Sequence, residues 1–122
     1  MEEKEVSKTG ITIGTPDDNG NIRSFIDGST RSHAILRTAA IGLGRYRPGW
    51  QWSRHAGPQT GKSSDNHIGY IISGQLMLRD SLGNEAKVGP GDAFEISPGS
   101  DAWVIGKRTC IALDFIPIPK SS

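Results

Sequence analysis

Gly89-Pro90-Gly91-Asp92-Ala93-Phe94-Glu95-Ile96-Ser97-Pro98-Gly99 decides how this chain folds. A Gly/Pro turn at Gly89–Asp92 and a second at Ser97–Gly99 bracket only four residues, Ala93 to Ile96. Four residues are too few for a stable helix, and alternating polarity between two turns reads as a short strand. Phe94 and Ile96 fall on one face as a core pair, which turns Glu95 toward solvent or a neighbouring strand.

The same punctuation repeats outward from this stretch. Toward the N-terminus, Glu85–Val88 and Gln75–Arg79 form a hairpin across Ser81-Leu82-Gly83-Asn84, and His67–Ile72 is a strand ended by Ser73-Gly74. Toward the C-terminus, Ala102–Ile105 and Thr109–Phe115 complete the set. Further upstream, Arg47-Pro48-Gly49 turns the chain into an expected strand, Trp50 to His55. Asn21–Ile26 and His33–Leu43 carry short apolar-alternating runs. Ala34–Leu43 also reads as helix through Ala39 and Ala40, but Gly42 and Gly44 favour strand. The Gly-, Pro-, Ser- and Thr-rich stretch Ala56–Asn66 is a long loop of the kind that often carries function. Sixteen Gly and seven Pro in 122 residues argue against a helical bundle. Short, evenly spaced strands predict an all-β sandwich or barrel.

Residues 1–20 read as a flexible N-terminal arm, with a strand near Ile11–Ile13, and residues 21–118 as a single barrel domain. Lys plus Arg number 14 and Asp plus Glu 13, so the near-neutral balance speaks against nucleic acid or a membrane surface as partner. Cys110 is the only cysteine, which excludes an intrachain disulfide; in the apolar run Cys110–Leu113 it reads as a buried core thiol. The charged start Met1-Glu2-Glu3-Lys4-Glu5 does not read as a secretory signal, so the expected location is cytoplasmic.

From Gly49 to Phe115 the chain resembles the cupin superfamily, in particular its small single-domain barrels. Gly49, five residues, then His55, and His67, six residues, then Gly74, follow the frame of the first cupin motif. Gly57 stands at that motif's second histidine position, and His67 where glutamate is usual. Gly89–Gly99 follows the second motif, with Ala102 at its histidine position. The resemblance implies an antiparallel jelly-roll β-barrel of two packed sheets, often dimeric, with a site in the barrel mouth. It also implies a divalent transition metal (Fe, Mn, Ni, Cu or Zn), for which His55 and His67 are the motif-aligned ligands. A third ligand would have to come from His33, Asp65 or Asp101.

Alternation from Trp50 to His55 places Gln51, Ser53 and His55 on one face, expected to point inward, and Trp50, Trp52 and Arg54 on the other. Ser100 shares the inward face with Ala102 and Val104, which turns Asp101 and Trp103 outward. A polar interior needs water or a polar ligand to satisfy it. The expected ligand-binding residues are therefore His55, His67, Gln51, Ser53 and Ser100, and the expected ligand is a small polar or anionic molecule. Arg45, Arg47 and Arg54 form either an anion-pairing cluster or a solvated basic edge. The chain holds no Gly-x-Ser-x-Gly, no phosphate loop and no assignable acid/base pair, so turnover stays open. The alternative function is a metal-dependent enzyme of dioxygenase or isomerase type on His55 and His67. A third reading is a homodimer through a surface of Trp50, Trp52 and Trp103.

Overall fold

The computed structural model describes residues 10–17, 22–57 and 66–117. Among them nine strands follow in order: β1 (Ile22–Ser24), β2 (Thr30–Ile35), β3 (Ala39–Tyr46), β4 (His67–Ser73), β5 (Leu76–Arg79), β6 (Glu85–Val88), β7 (Ala93–Ile96), β8 (Asp101–Val104) and β9 (Cys110–Pro117). They build two antiparallel sheets, one of six strands in the order β1-β2-β3-β9-β4-β7 and one of three in the order β6-β5-β8. This is the predicted jelly-roll. No helix among the described residues is long and apolar enough to cross a membrane.

The turn before β7 explains why Gly89–Asp92 is so informative. Asp92 Oδ2 accepts the Gly89 N–H at 2.8 Å, and the Asp92 N–H donates to the Gly89 carbonyl at 3.0 Å. Gly91, at φ +89°, takes the left-handed conformation that such a turn requires. The turn is also tied to β4, through Gly91 N–H to the Ile71 carbonyl and Ile71 N–H to the Asp92 carbonyl. Gly74 marks a second constraint. At φ +77° it lies so near β9 that a Cβ would stand 2.6 Å from the Cys110 Cα.

Upstream, the structure differs from the sequence expectation in three places. His33–Leu43 is two strands, because the chain turns between Ile35 and Ala39, with Leu36 N–H donating to the Ala39 carbonyl at 2.9 Å. Ile11–Ile13 forms no strand. Trp50–His55 is not a strand either: only Gln51 pairs, with Trp103, and Trp52–Ala56 is one turn of π-helix. Of the N-terminal arm, residues 10–17 lie along the outer side of β2. A Cβ at Gly14 would touch the Ala34 side chain, and Asp17 bonds Ser32 and Arg45. Residues 1–9 and 18–20 fall outside the described residues.

The core lies between the sheets. Ile71 and Cys110 are fully buried. Burial pushes the Cys110 thiol up to about 11, as expected of an inert core thiol. Trp50, 3% exposed, packs at 4.2 Å from the Tyr46 ring and 6.1 Å from Phe25. Each such aromatic pair adds about 0.5–1.5 kcal/mol beyond the area it buries.

Candidate functional site

The inner face of the large sheet carries the site. Strand registers line up His33, Gly42, Asp114, Gly69 and Phe94 across β2, β3, β9, β4 and β7. Asp114 therefore has glycine on both sides. Isolated glycines in strands mark places where something approaches the backbone closely. Here a Cβ at Gly42 would press on Asp114, His33 and Arg31, and a Cβ at Gly69 would come within 2.5 Å of the Phe94 ring. One row further, Gly44 makes room for the Tyr46 ring folded back over it.

Into this space Arg31 reaches from β2, where its NH2 group donates to Asp114 Oδ2 in a close ion pair. Both side chains are largely buried, at 20% and 12% exposure. Such a pair is costly to desolvate but far costlier to break, since one partner would be left charged and unpaired. Two donors here lack acceptors: Arg31 Nε and Trp50 Nε1 are buried without a hydrogen-bond partner. His33, half-buried beside them, is held below its usual histidine range, first by burial and then by the Arg31 charge. Burial drives the Tyr46 phenol well above its usual range.

Between the sheets these residues line a small cavity of about 60 Å³, part of it open to solvent. Arg31, Asp114 and His67 are its charged or titratable wall. The aromatic wall is Tyr46, Trp50, Trp52 and Phe94, and the small sheet contributes Leu76, Leu78 and Ala102. The cavity wall is mostly apolar.

Of the residues expected on the inner face, His67 lines this cavity; Gln51, Ser53, His55 and Ser100 do not. The alternation at Trp50–Trp52 holds, but its sense is inverted. Burying two indoles in the core outweighs burying an amide and a hydroxyl. Gln51 and Ser53 face Asp101 instead. Its carboxylate accepts from Gln51 Nε2 at 2.7 Å, from the Ser53 N–H at 2.9 Å and from the Ser53 hydroxyl at 2.7 Å. This clamp fastens the π-helical turn to β8. His55 closes the turn from within, its Nδ1 accepting the Gln51 N–H at 3.0 Å. Ser100 is buried at the turn before β8 and donates to the Ser97 carbonyl at 2.6 Å.

The described side chains do not assemble the metal centre that the motif positions would supply. His67 faces the cavity, whereas the Nδ1 of His55 is engaged in its own turn. At Gly57, the second histidine position of the motif, a Cβ would stand 2.8 Å from the Trp52 ring, so no side chain fits. Ala102 fills the third position as apolar wall. Asp101 is spent on its clamp, and Asp65 lies outside the described residues. Among the described residues no three His, Cys, Asp or Glu side chains gather to hold an ion.

Sequence reading missed Arg31, Asp114, Tyr46 and both pocket tryptophans. A signal existed in Ile41-Gly42-Leu43-Gly44, where every second residue lacks a side chain and so marks one face as making room. The arginine trio does not cluster around a ligand: Arg45 pairs with Asp17 at 3.0 Å, and Arg47 donates to the Asp27 carbonyl.

This architecture is the cupin-type jelly-roll. Solved structures agree on it. KdgF from a Halomonas species is 14% identical with a TM-score of 0.64, covering 91% of this chain and 97% of its own. An RmlC-like cupin from Shewanella frigidimarina is 13% identical with a TM-score of 0.60, covering 91% and 95%. A cupin superfamily protein from Desulfitobacterium hafniense is 12% identical with a TM-score of 0.55, covering 80% and 82%. At these identities the likeness defines the fold, and activity has to be argued from the site. No family model matches the chain, and no curated protein matches it in sequence.

Proposed function

We propose that this protein is a cupin-type barrel that binds a small organic molecule between its sheets, with an apolar body and one polar end. The observation that carries this reading is the cavity whose aromatic walls converge on the buried Arg31–Asp114 pair. A fold needing only a core would fill that space with side chains, because interiors pack to crystal-like density. Apolar clefts with a few placed polar groups are the usual form of small-molecule sites. Toluene serves as a probe of the apolar part. Calorimetry is expected to give saturable binding that Ala102→Phe, which fills the cavity, weakens at least tenfold. Toluene binding that ignores this substitution would remove the reading.

The outer face of the large sheet favours a homodimer as well. Ile68, Tyr70, Ile72 and Phe115 are each about 40% exposed or more, on two central strands. They adjoin Leu43 and Leu113 in a continuous apolar patch. Two charges border it: Arg45, paired with Asp17, and Glu95, opposite Ile68 and bonded by the Asn66 amide. The tryptophan surface expected from sequence is not the one used here: Trp50 and Trp52 line the cavity. Light scattering on the wild type should give twice the chain mass, and Tyr70→Lys with Ile72→Lys should give the monomer. A monomeric wild type would sink the dimer.

A further inference from the structure

The outer face of the large sheet is stepped rather than flat. Along β2 it carries residues 10–17: Gly14 meets Ala34, Asp17 holds Ser32 and Arg45, and both Ser32 and Ala34 are buried. The opposite margin, beyond β3 and β9, is lower. There Ile68, Tyr70 and Ile72 of β4 are 42%, 39% and 46% exposed. The arm itself alternates. Thr12, Gly14 and Pro16 are half-buried, whereas Ile11, Ile13, Thr15 and Asp17 are exposed. Its inward side buries the Thr12 hydroxyl without a hydrogen-bond partner, and its outward side carries two isoleucines at 65% and 63% exposure. An extended segment with one side in solvent normally shows the reverse polarity. The raised margin and the lower margin thus both present apolar side chains.

We propose that the second copy in the homodimer docks with the two-fold axis along the strands. The arm of each copy then lies over the β4–β7 margin of the other, with Ile11 and Ile13 against Ile68 and Tyr70. The inference rests on the homodimer reading and specifies its geometry. An axis along the strands exchanges the two margins, so raised meets lower at both ends of the interface at once. Packed sheets lie about 10 Å apart, a layer that one extended arm fills. An axis across the strands would stack arm on arm, double that layer and leave the two β4 faces apart. The first arrangement also keeps the two Glu95 carboxylates on opposite margins, because β7 is the sheet's edge. Asp17, through Ser32 and Arg45, holds the arm in place before the partner arrives, which lowers the ordering cost of association.

Mixed dimers test it. One copy is isotope-labelled for nitrogen-edited NMR. The other carries a nitroxide on Thr15→Cys, an exposed arm position, while the fully buried Cys110 takes no label. Every broadened amide then reports proximity between copies. The expected result is broadening along β4, from Ile68 to Ile72. Broadening of Thr12 to Gly14 instead would mean arm on arm and overturn the geometry. No broadening, in a sample that light scattering shows as a dimer, would put the arm outside the interface; that overturns the inference and leaves the homodimer standing. A monomeric wild type removes both. Ile11→Ser with Ile13→Ser should raise the dimer dissociation constant roughly tenfold or more. The same pair should leave the melting temperature of the Tyr70→Lys/Ile72→Lys monomer unchanged. A monomer that melts lower with the two serines would mean that the isoleucines pack on their own chain, which also overturns the inference.

Discussion

On the inner face of the six-stranded sheet, Asp114 lies between Gly42 and Gly69; one residue away on the outer face, Leu113 lies between Leu43 and Tyr70. The inner side carries a charged pair, and the outer side carries exposed Ile68, Tyr70, Ile72 and Phe115. An antiparallel sheet with one solvated face normally shows the opposite distribution, apolar inward and polar outward. The inversion on the inside is tolerable because Arg31 and Asp114 satisfy each other and the glycines leave space around them. The inversion on the outside leaves those four apolar side chains partly exposed, and the homodimer proposed above would cover them. Both faces of one sheet thus depart from that distribution, the inner one around a charged pair and the outer one in partly exposed apolar side chains.

This comparison is broken most severely by removing one half of the inner pair. Asp114→Ala strands Arg31 in a largely buried site, and should cost about 3–5 kcal/mol in urea unfolding. Replacing both partners by leucine should cost much less, since an apolar pair of similar volume is often neutral. If the single and double variants lose the same stability, the pair is not the inner face's central feature.

The glycines come next. Gly69→Ala puts a methyl group against the Phe94 ring at 2.5 Å and the Leu113 carbonyl at 3.1 Å, and should cost about 1–3 kcal/mol. Adding Phe94→Ala should make the Gly69 substitution cheaper than it is alone, a coupling visible in a double-mutant cycle. Additive losses would mean that the ring does not occupy the space the glycine leaves.

The smallest expected effect is the pH dependence of His33. Its folded pKa lies below the ordinary 6.5, so the unfolded chain binds its proton more readily. Stability from this group is present above about pH 6.5 and falls as pH drops below that value. Arg31, Asp114 and Arg23 set its surroundings, and Asp114 opposes the shift. The melting temperature should decline between pH 7.5 and 5.5, and His33→Gln should flatten that decline. An identical slope in the variant would detach His33 from the inner face.

The fold was legible because its turns are encoded locally. Gly89–Asp92 needs only Pro, Gly and Asp at fixed positions, and β6 and β7 stand where the sequence placed them. The site was harder to read, because it depends on partners far apart in the chain. Arg31 and Asp114 meet across two strand registers that no local pattern reveals. At Trp50–Ala56 the period-2 reading correctly opposed Trp to Gln, but the indoles took the buried face and Gln51 met Asp101 on a distant strand. The π-helical turn after Gln51 then ended the alternation that had carried Ser53 and His55 inward. His67 lines the cavity from the first position of a regular strand, β4.

The central claim is that the inner face lines a pocket that takes a small molecule against its aromatic wall. The most direct measurement is the indole N–H resonance of each tryptophan, followed by nitrogen-edited NMR during titration with toluene. The Trp50 signal, assigned by its loss in Trp50→Phe, should move with saturation, while that of Trp103 stays in place. A titration in which Trp103 moves and Trp50 does not would contradict the account.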